Sequence, residues 1–217
     1  MPSGYLHKRC AERACEVSGI TPAHSDVLIL GSQGPDPLFL LGMFPLSLQS
    51  APLPYGNTLH TSRTGPFLCS LAGHSRERGA VERAYAMGFL THYALDSTVH
   101  PYVYAHSLDA AGRYSSGLHM RLEKQWDTLY YRRDGHRGTS VTMPGVRESK
   151  PHWPQVASVW AIAIRDIYPD MGLSEADILK ALADAERSNR LTHSPHGFKY
   201  ALVWALERLI GKPMLAT

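Results

Sequence analysis

Three side chains able to bind metal ions recur at four-residue intervals inside one stretch of helix-forming residues: His92, Asp96 and His100 in THYALDSTVH. On an α-helix, residues i and i+4 lie about 40° apart around the axis and about 6 Å apart along it, so each adjacent pair can reach a single cation. The outer two do not easily share one, because about 12 Å of rise separates them. A helix with this pattern is built to serve two or more metals, with Asp96 between them. A carboxylate suits that place, since each of its oxygens can engage a different cation, whereas a neutral imidazole offers one lone pair. His119 and Glu123 repeat the spacing downstream.

The surrounding signals are helical too. Leu6, Cys10, Ala14 and Val17 set a helix over 4–18 that stops at Gly19, a left-handed cap. Thr21-Pro22 reads as N-cap and first-turn proline for a short helix through Leu30. GSQGPDPLFLLGMFP is loop-like, and Gly65-Pro66 should break the helical stretch from Asn57 to Ala72. The longest helix is expected from Ser75 to about Tyr104, with an apolar face of Ala80, Ala84, Met87, Leu90, Ala94, Leu95 and Val99 and a kink or end at Pro101. A helix over Gly117–Tyr131 precedes a long polar connection. Helices near 154–168, 174–188 and 197–210 follow, with Ser174 as an N-cap and Gly211 as a terminator. Val156, Trp160, Ala163, Ile164 and Ile167 share one face without ligand spacing, so these last helices read as packing elements.

No Ser-rich, Pro-rich or charged block divides the 217 residues, and a 44% hydrophobic content supplies one substantial core, so a single domain over 1–217 is expected. The net charge of +3 comes from scattered Lys and Arg, which argues against a dedicated nucleic-acid binder. Twelve histidines are the outlier and raise the case for a metal centre. Cys10, Cys15 and Cys69 form no CxxC, so they suggest neither a disulfide framework nor a thiolate zinc site. No apolar signal-peptide core and no transmembrane stretch is visible, which makes a cytoplasmic location the expectation, with processed or unconventional export left open. Oligomeric state is not specified.

Taken with Asp36 between two prolines, His60 in NTLH and His7 near the amino terminus, the pairs His92-x3-Asp96-x3-His100 and His119-x3-Glu123 resemble the ordered ligand set of the zinc-dependent phospholipase C family. The resemblance runs from His7 to about Asp127. It implies an all-α, multi-helix bundle whose site holds three zinc ions in the family, and two to three are expected here by analogy with clustered-metal hydrolases. Carried over, Asp36, His60, His92 and Asp96 look like ligands of one zinc, with Asp96 bridging; His7 and Asp96 serve a second; His100, His119 and Glu123 serve a third. In secreted relatives the mature amino terminus also chelates the second ion, a place that a terminus processed to Pro2 could fill. The related single-strand nucleases share the fold, but their final pair typically ends in Asp where this chain has Glu123. The donor set, nitrogen and oxygen without thiolate, suits zinc and also manganese or iron.

The implied activity is in-line hydrolysis of a phosphate ester, with Asp36 orienting or deprotonating the attacking water. On its own, Pro35-Asp36-Pro37 reads as a turn. The implied substrate is a phosphodiester, with a phospholipid headgroup among the candidates. Two alternatives stand beside it. A nuclease acting on single strands could draw on Arg63, Arg113, Arg121, Arg132 and Arg133, which form no clear stripe. A non-catalytic helical domain could keep its metal for stability. Asp127 reads equally as support for a ligand histidine or as a surface acid. His24, His74, His106, His136, His152, His193 and His196 lack helical partners at ligand spacing and read as structural or exposed, while Tyr102, Tyr104 and Trp126 read as core or site wall.

Overall fold

A computed structural model of the chain describes residues 4–44, 54–138 and 142–193. Among them lie eight α-helices: α1 (Gly4–Ser18), α2 (Ser25–Gly31), α3 (Tyr55–Thr61), α4 (Thr64–Glu77), α5 (Ala80–Ala105), α6 (Ser116–Arg133), α7 (Trp153–Ile167) and α8 (Glu175–Thr192). Short 3-10 turns cover Asp36–Leu40, Lys150–His152 and Pro169–Met171. The described residues form no strand, and an isolated bridge pairs Leu108 with Tyr114. The chain is thus an all-helical bundle. The helix expected at 197–210, Gly211, His196 and Pro2 fall outside the described residues.

Several boundaries follow local chemistry. α1 ends as its glycine requires: Gly19 has φ 67°, and the N–H groups of Gly19 and Ile20 return to the carbonyls of Glu16 and Cys15 at 3.3 and 3.0 Å. Those paired bonds close the last turn and satisfy carbonyls that would otherwise be orphaned. Ser174 caps α8, its hydroxyl accepting from Asp177 N at 3.2 Å while Asp177 takes the Ser174 N–H at 2.9 Å.

Other boundaries differ from expectation. α2 starts at Ser25, after Thr21-Pro22, and no side chain caps it. The break near Gly65-Pro66 comes earlier, at Ser62 and Arg63; Arg63 takes the left-handed conformation, φ 53°, so Pro66 falls in the first turn of α4, where its missing N–H costs nothing. Arg78 and Gly79 separate α4 from α5, and Gly79 N donates to Glu82 at 3.1 Å. The far end of α5 agrees with expectation: the helix continues past Pro101 and stops at Ala105, with Val103 in that last turn 1% exposed. Tertiary packing there outweighs the lost backbone bond.

The core is shared by every long helix except α1 and α6. Leu30, Phe67, Leu71, Tyr85, Phe89, Trp160, Ile164, Ile178 and Leu182 are all buried in one cluster, each contributing on the order of 1.5–3 kcal/mol. α7 sits between α4 and α8, as its apolar face requires. The segment after α6, expected to be a polar connection, also sends Met143 and Val146 into this core.

The face that α5 buries is rotated from the one expected. Val81, Ala84, Tyr85, Gly88, Phe89, His92 and Asp96 are buried, whereas Leu90 is 44% exposed and Ala94 is exposed. The cause is α2, which packs against α5 backbone to backbone: a Cβ added at Gly31 or at Gly88 would overlap carbonyl oxygens of Tyr85 or Leu28. The stripe that is apolar in the first half of α5 continues without a break as His92 and Asp96. One end of the bundle therefore has a charged interior.

Candidate metal centre

Asp96 is the hub of that interior. Its Oδ1 lies 3.2 Å from His7 Nε2 and 3.6 Å from His100 Nε2, and its Oδ2 lies 3.3 Å from His92 Nε2 and 3.7 Å from His60 Nε2. Four imidazoles from α1, α3 and α5 thus point their Nε2 atoms at one carboxylate. Asp36, in the 3-10 turn, reaches His60 Nε2 at 3.2 Å. Glu123 Oε1 on α6 meets His100 at 3.2 Å and His119 at 3.0 Å. The fold gathers all eight sequence-derived candidates into one continuous cluster. Donor atoms within it form three compact groups: His7, Asp36 and His92; His60, His92 and Asp96; His100, His119 and Glu123.

The rings are aimed by backbone carbonyls. His92 Nδ1 donates to Ser32 O at 3.1 Å and His60 Nδ1 to Gly56 O at 2.7 Å. A carbonyl only accepts, so in each neutral ring the proton sits on Nδ1 and the lone pair on Nε2. Those two Nε2 atoms are 3.3 Å apart. Two lone pairs facing each other beside carboxylates repel unless a proton or a cation lies between them. Buried His7 Nδ1, Asp36 Oδ2 and His119 Nδ1 also lack hydrogen-bond partners. The donors therefore fit a divalent cation, with nitrogen and oxygen ligands of the kind zinc accepts.

The electrostatics of the side chains show how strongly the cluster favours positive charge. Burial opposes charge on His60, but the hydrogen bond to Asp36, its negative charge, the Gly56 carbonyl and Asp96 outweigh it and raise the ring to about 9. Burial likewise opposes ionisation of Asp96, and the charges and hydrogen bonds of His92 and His7 overcome it, holding the carboxyl far below its ordinary range. Glu123 is lowered in the same way, burial being outweighed by hydrogen bonds from His100 and His119. The cluster is an anionic cage that attracts positive charge.

Sequence spacing did not reveal several supporting residues. Gly34, φ 55°, lies flat against His92, and a Cβ there would overlap the ring. Phe39 stacks on His60 with centroids 5.5 Å apart. Asp127 is 1% exposed, not a surface acid, and accepts the backbone N–H groups of Tyr5 and Leu6, so it supports the helix that carries His7. Beside the cluster a cleft of about 410 Å³ is lined by His7, Asp96, His100 and Glu123 together with Leu95, Val99, Val103, Trp126 and Leu129. No Lys or Arg lines it among the described residues. Arg63 is instead bound to Ile167 O and Arg113 to Asp109.

Among the described residues, no helix is long and apolar enough to cross a membrane. No curated protein and no solved structure matches the chain. The family model for zinc dependent phospholipase C matches residues 6–173, a span that contains the whole Asp96 cluster and its cleft. With a convergent set of His and carboxylate donors inside the matched span, the chain belongs to the zinc dependent phospholipase C family and is a metal-dependent phosphoric-ester hydrolase.

Proposed function

We propose that His7, Asp36, His60, His92, Asp96, His100, His119 and Glu123 hold two to three zinc ions, and that the enzyme cleaves a phosphodiester with an apolar substituent, a phospholipid being the leading candidate. The observation that carries the reading is Asp96, with four imidazole Nε2 atoms between 3.2 and 3.7 Å from its oxygens. Bound zinc supplies Lewis acidity, neutralising phosphate oxygens and lowering the pKa of a water from 15.7 toward about 7.

The remaining work falls to the protein's own side chains. Asp36 is 1% exposed, and its Oδ2 has no hydrogen-bond partner. That free oxygen can accept a proton as water attacks phosphorus and the bond to the leaving oxygen breaks. Ser32 and Gly56 keep the His92 and His60 rings turned inward. The wall of Leu95, Val99, Val103, Trp126 and Leu129 offers an apolar surface for the rest of the ester. This wall favours a lipid over a nucleic acid strand, which calls for a cationic groove.

The test is turnover of zinc-loaded protein on a phosphatidylcholine analogue, a bis-aryl phosphodiester and single-stranded DNA. The reading expects both small diesters to be cleaved and the lipid to be preferred in kcat/KM. Preference for DNA would reject the lipid assignment, and failure on all three would reject the phosphodiesterase reading.

A further inference from the structure

Away from the Asp96 cluster, His24, Asp26 and His152 each bring one ligand atom to within 4.8 Å of the others. His24 stands directly before α2, Asp26 lies in the first turn of α2, and His152 stands directly before α7. The opposite end of α2 is the one that serves the phosphate-ester site, through the Ser32 carbonyl on His92. A seven-residue helix, about 10 Å of rise, separates the two groups.

Both imidazoles occupy a position where helices favour Ser, Thr, Asp or Asn, whose side chains cap free N–H groups. Neither ring makes such a capping bond. The two rings meet edge to face, centroids 4.7 Å apart. Nδ1 of His152 is sealed from solvent and has no hydrogen-bond partner. A buried imidazole nitrogen in that condition is costly to leave unpaired, and a cation satisfies a lone pair as a proton donor does.

We propose that His24, Asp26 and His152 form a second metal site, independent of the phosphate-ester centre, that takes one divalent ion of the zinc type. Two imidazole nitrogens and one carboxylate oxygen make a three-ligand set that leaves a coordination position open to solvent or to a further group. Bonds of about 2.0–2.2 Å in a tetrahedral arrangement put donors about 3.3–3.6 Å apart, so side-chain movements on the order of 1 Å close the set. Asp26 supplies negative charge against the positive ends of α2 and α7. It also lines a cleft of about 520 Å³ with Lys8, His136, Glu148 and His193, which gives an ion a route in. An ion held there ties the start of α2 to the start of α7, two segments far apart in the chain, so its binding is read as stability as well as content.

The test compares wild-type protein with a His24→Ala/His152→Ala variant, each stripped, reloaded with zinc, dialysed and counted for metal. The variant is expected to hold one zinc fewer per chain and to show a smaller zinc-induced rise in thermal midpoint. Its turnover of a bis-aryl phosphodiester should stay within about twofold of wild type, because distant sites act independently. An Asp96→Asn protein should still lose one zinc when the two rings are removed, which separates this site from the catalytic cluster. Equal zinc content with and without the rings would overturn the proposal. If removing both rings prevents folding, Asp26→Asn is counted in the same way, and an unchanged count there would overturn it equally.

Discussion

Asp127 accepts the backbone N–H of Tyr5 at 3.1 Å, so the first turn of α1 is capped by a carboxylate 122 residues further along the chain. Its other oxygen takes the Leu6 N–H at 3.0 Å, and the next residue, His7, reaches Asp96 at 3.2 Å. Burial pushes the Asp127 carboxyl up to about 6, against the lowering effect of those two N–H groups. A side chain of α6 thereby fixes the position of an imidazole on α1.

Removing the cap should loosen that imidazole. We predict that Asp127→Ala lowers stability by about 1–3 kcal/mol in urea, the cost of leaving buried donors unpaired. Asp127→Asn, which keeps one accepting oxygen, should lose less. Zinc content should fall more in the Ala variant than in the Asn variant, and equal content would show that the cap does not act through His7.

Gly34 gives a second prediction. Its φ of 55° and its contact with the His92 ring leave no room for a methyl group. Gly34→Ala should cost at least about 1–2 kcal/mol, from the left-handed backbone alone. Because the added group meets the ring itself, metal content should drop with it, as metal analysis of the refolded protein would report.

The free oxygen of Asp36 leads to a kinetic prediction. Asp36→Asn should reduce kcat on a bis-aryl phosphodiester by about 10²–10⁴-fold, the usual worth of a positioned general base. The loss should fall mainly in kcat, with KM little changed. A variant retaining full kcat would remove Asp36 from the proton transfer.

Glu186 allows a pH prediction away from the metal centre. Its carboxyl is lowered from the ordinary 4.5; burial opposes this, but Lys150 at 3.1 Å and Arg190 at 3.1 Å outweigh it. A carboxyl lowered in the fold contributes stability that is fully present above its unfolded value and is lost as pH falls through the folded one. The stability gap between wild type and Glu186→Gln should therefore be open at neutral pH and close on acidification below about 4.5. A gap independent of pH would mean that the ion pairs do not stabilise the fold.

What the sequence disclosed and what it hid divide by range. The nearness of His92, Asp96 and His100, and of His119 and Glu123, is a property of single helices, so four-residue spacing exposes it. His7, Asp36 and His60 come from three separate segments, and the order of motifs along the chain was their only signal. The Ser32 carbonyl on His92 and the Asp127 cap on α1 are contacts between distant segments that no periodicity encodes. Leu90 and Ala94 are apolar and point to a different face of α5 from the one it buries, which is set by backbone contact of Gly31 and Gly88 between α2 and α5. The end of α5 was legible: the helix stops at Ala105, one turn past Pro101 and within a residue of the expected Tyr104.

The donors around Asp96 are arranged for metal ions. The most direct measurement is zinc-edge anomalous diffraction from crystals of the zinc-loaded protein. Two or three anomalous peaks are expected, enclosed by the imidazoles of His7, His60, His92, His100 and His119 and the carboxylates of Asp36, Asp96 and Glu123. Zinc absent from that cage, with the rings hydrogen-bonded to one another and to the carboxylates in its place, would contradict it.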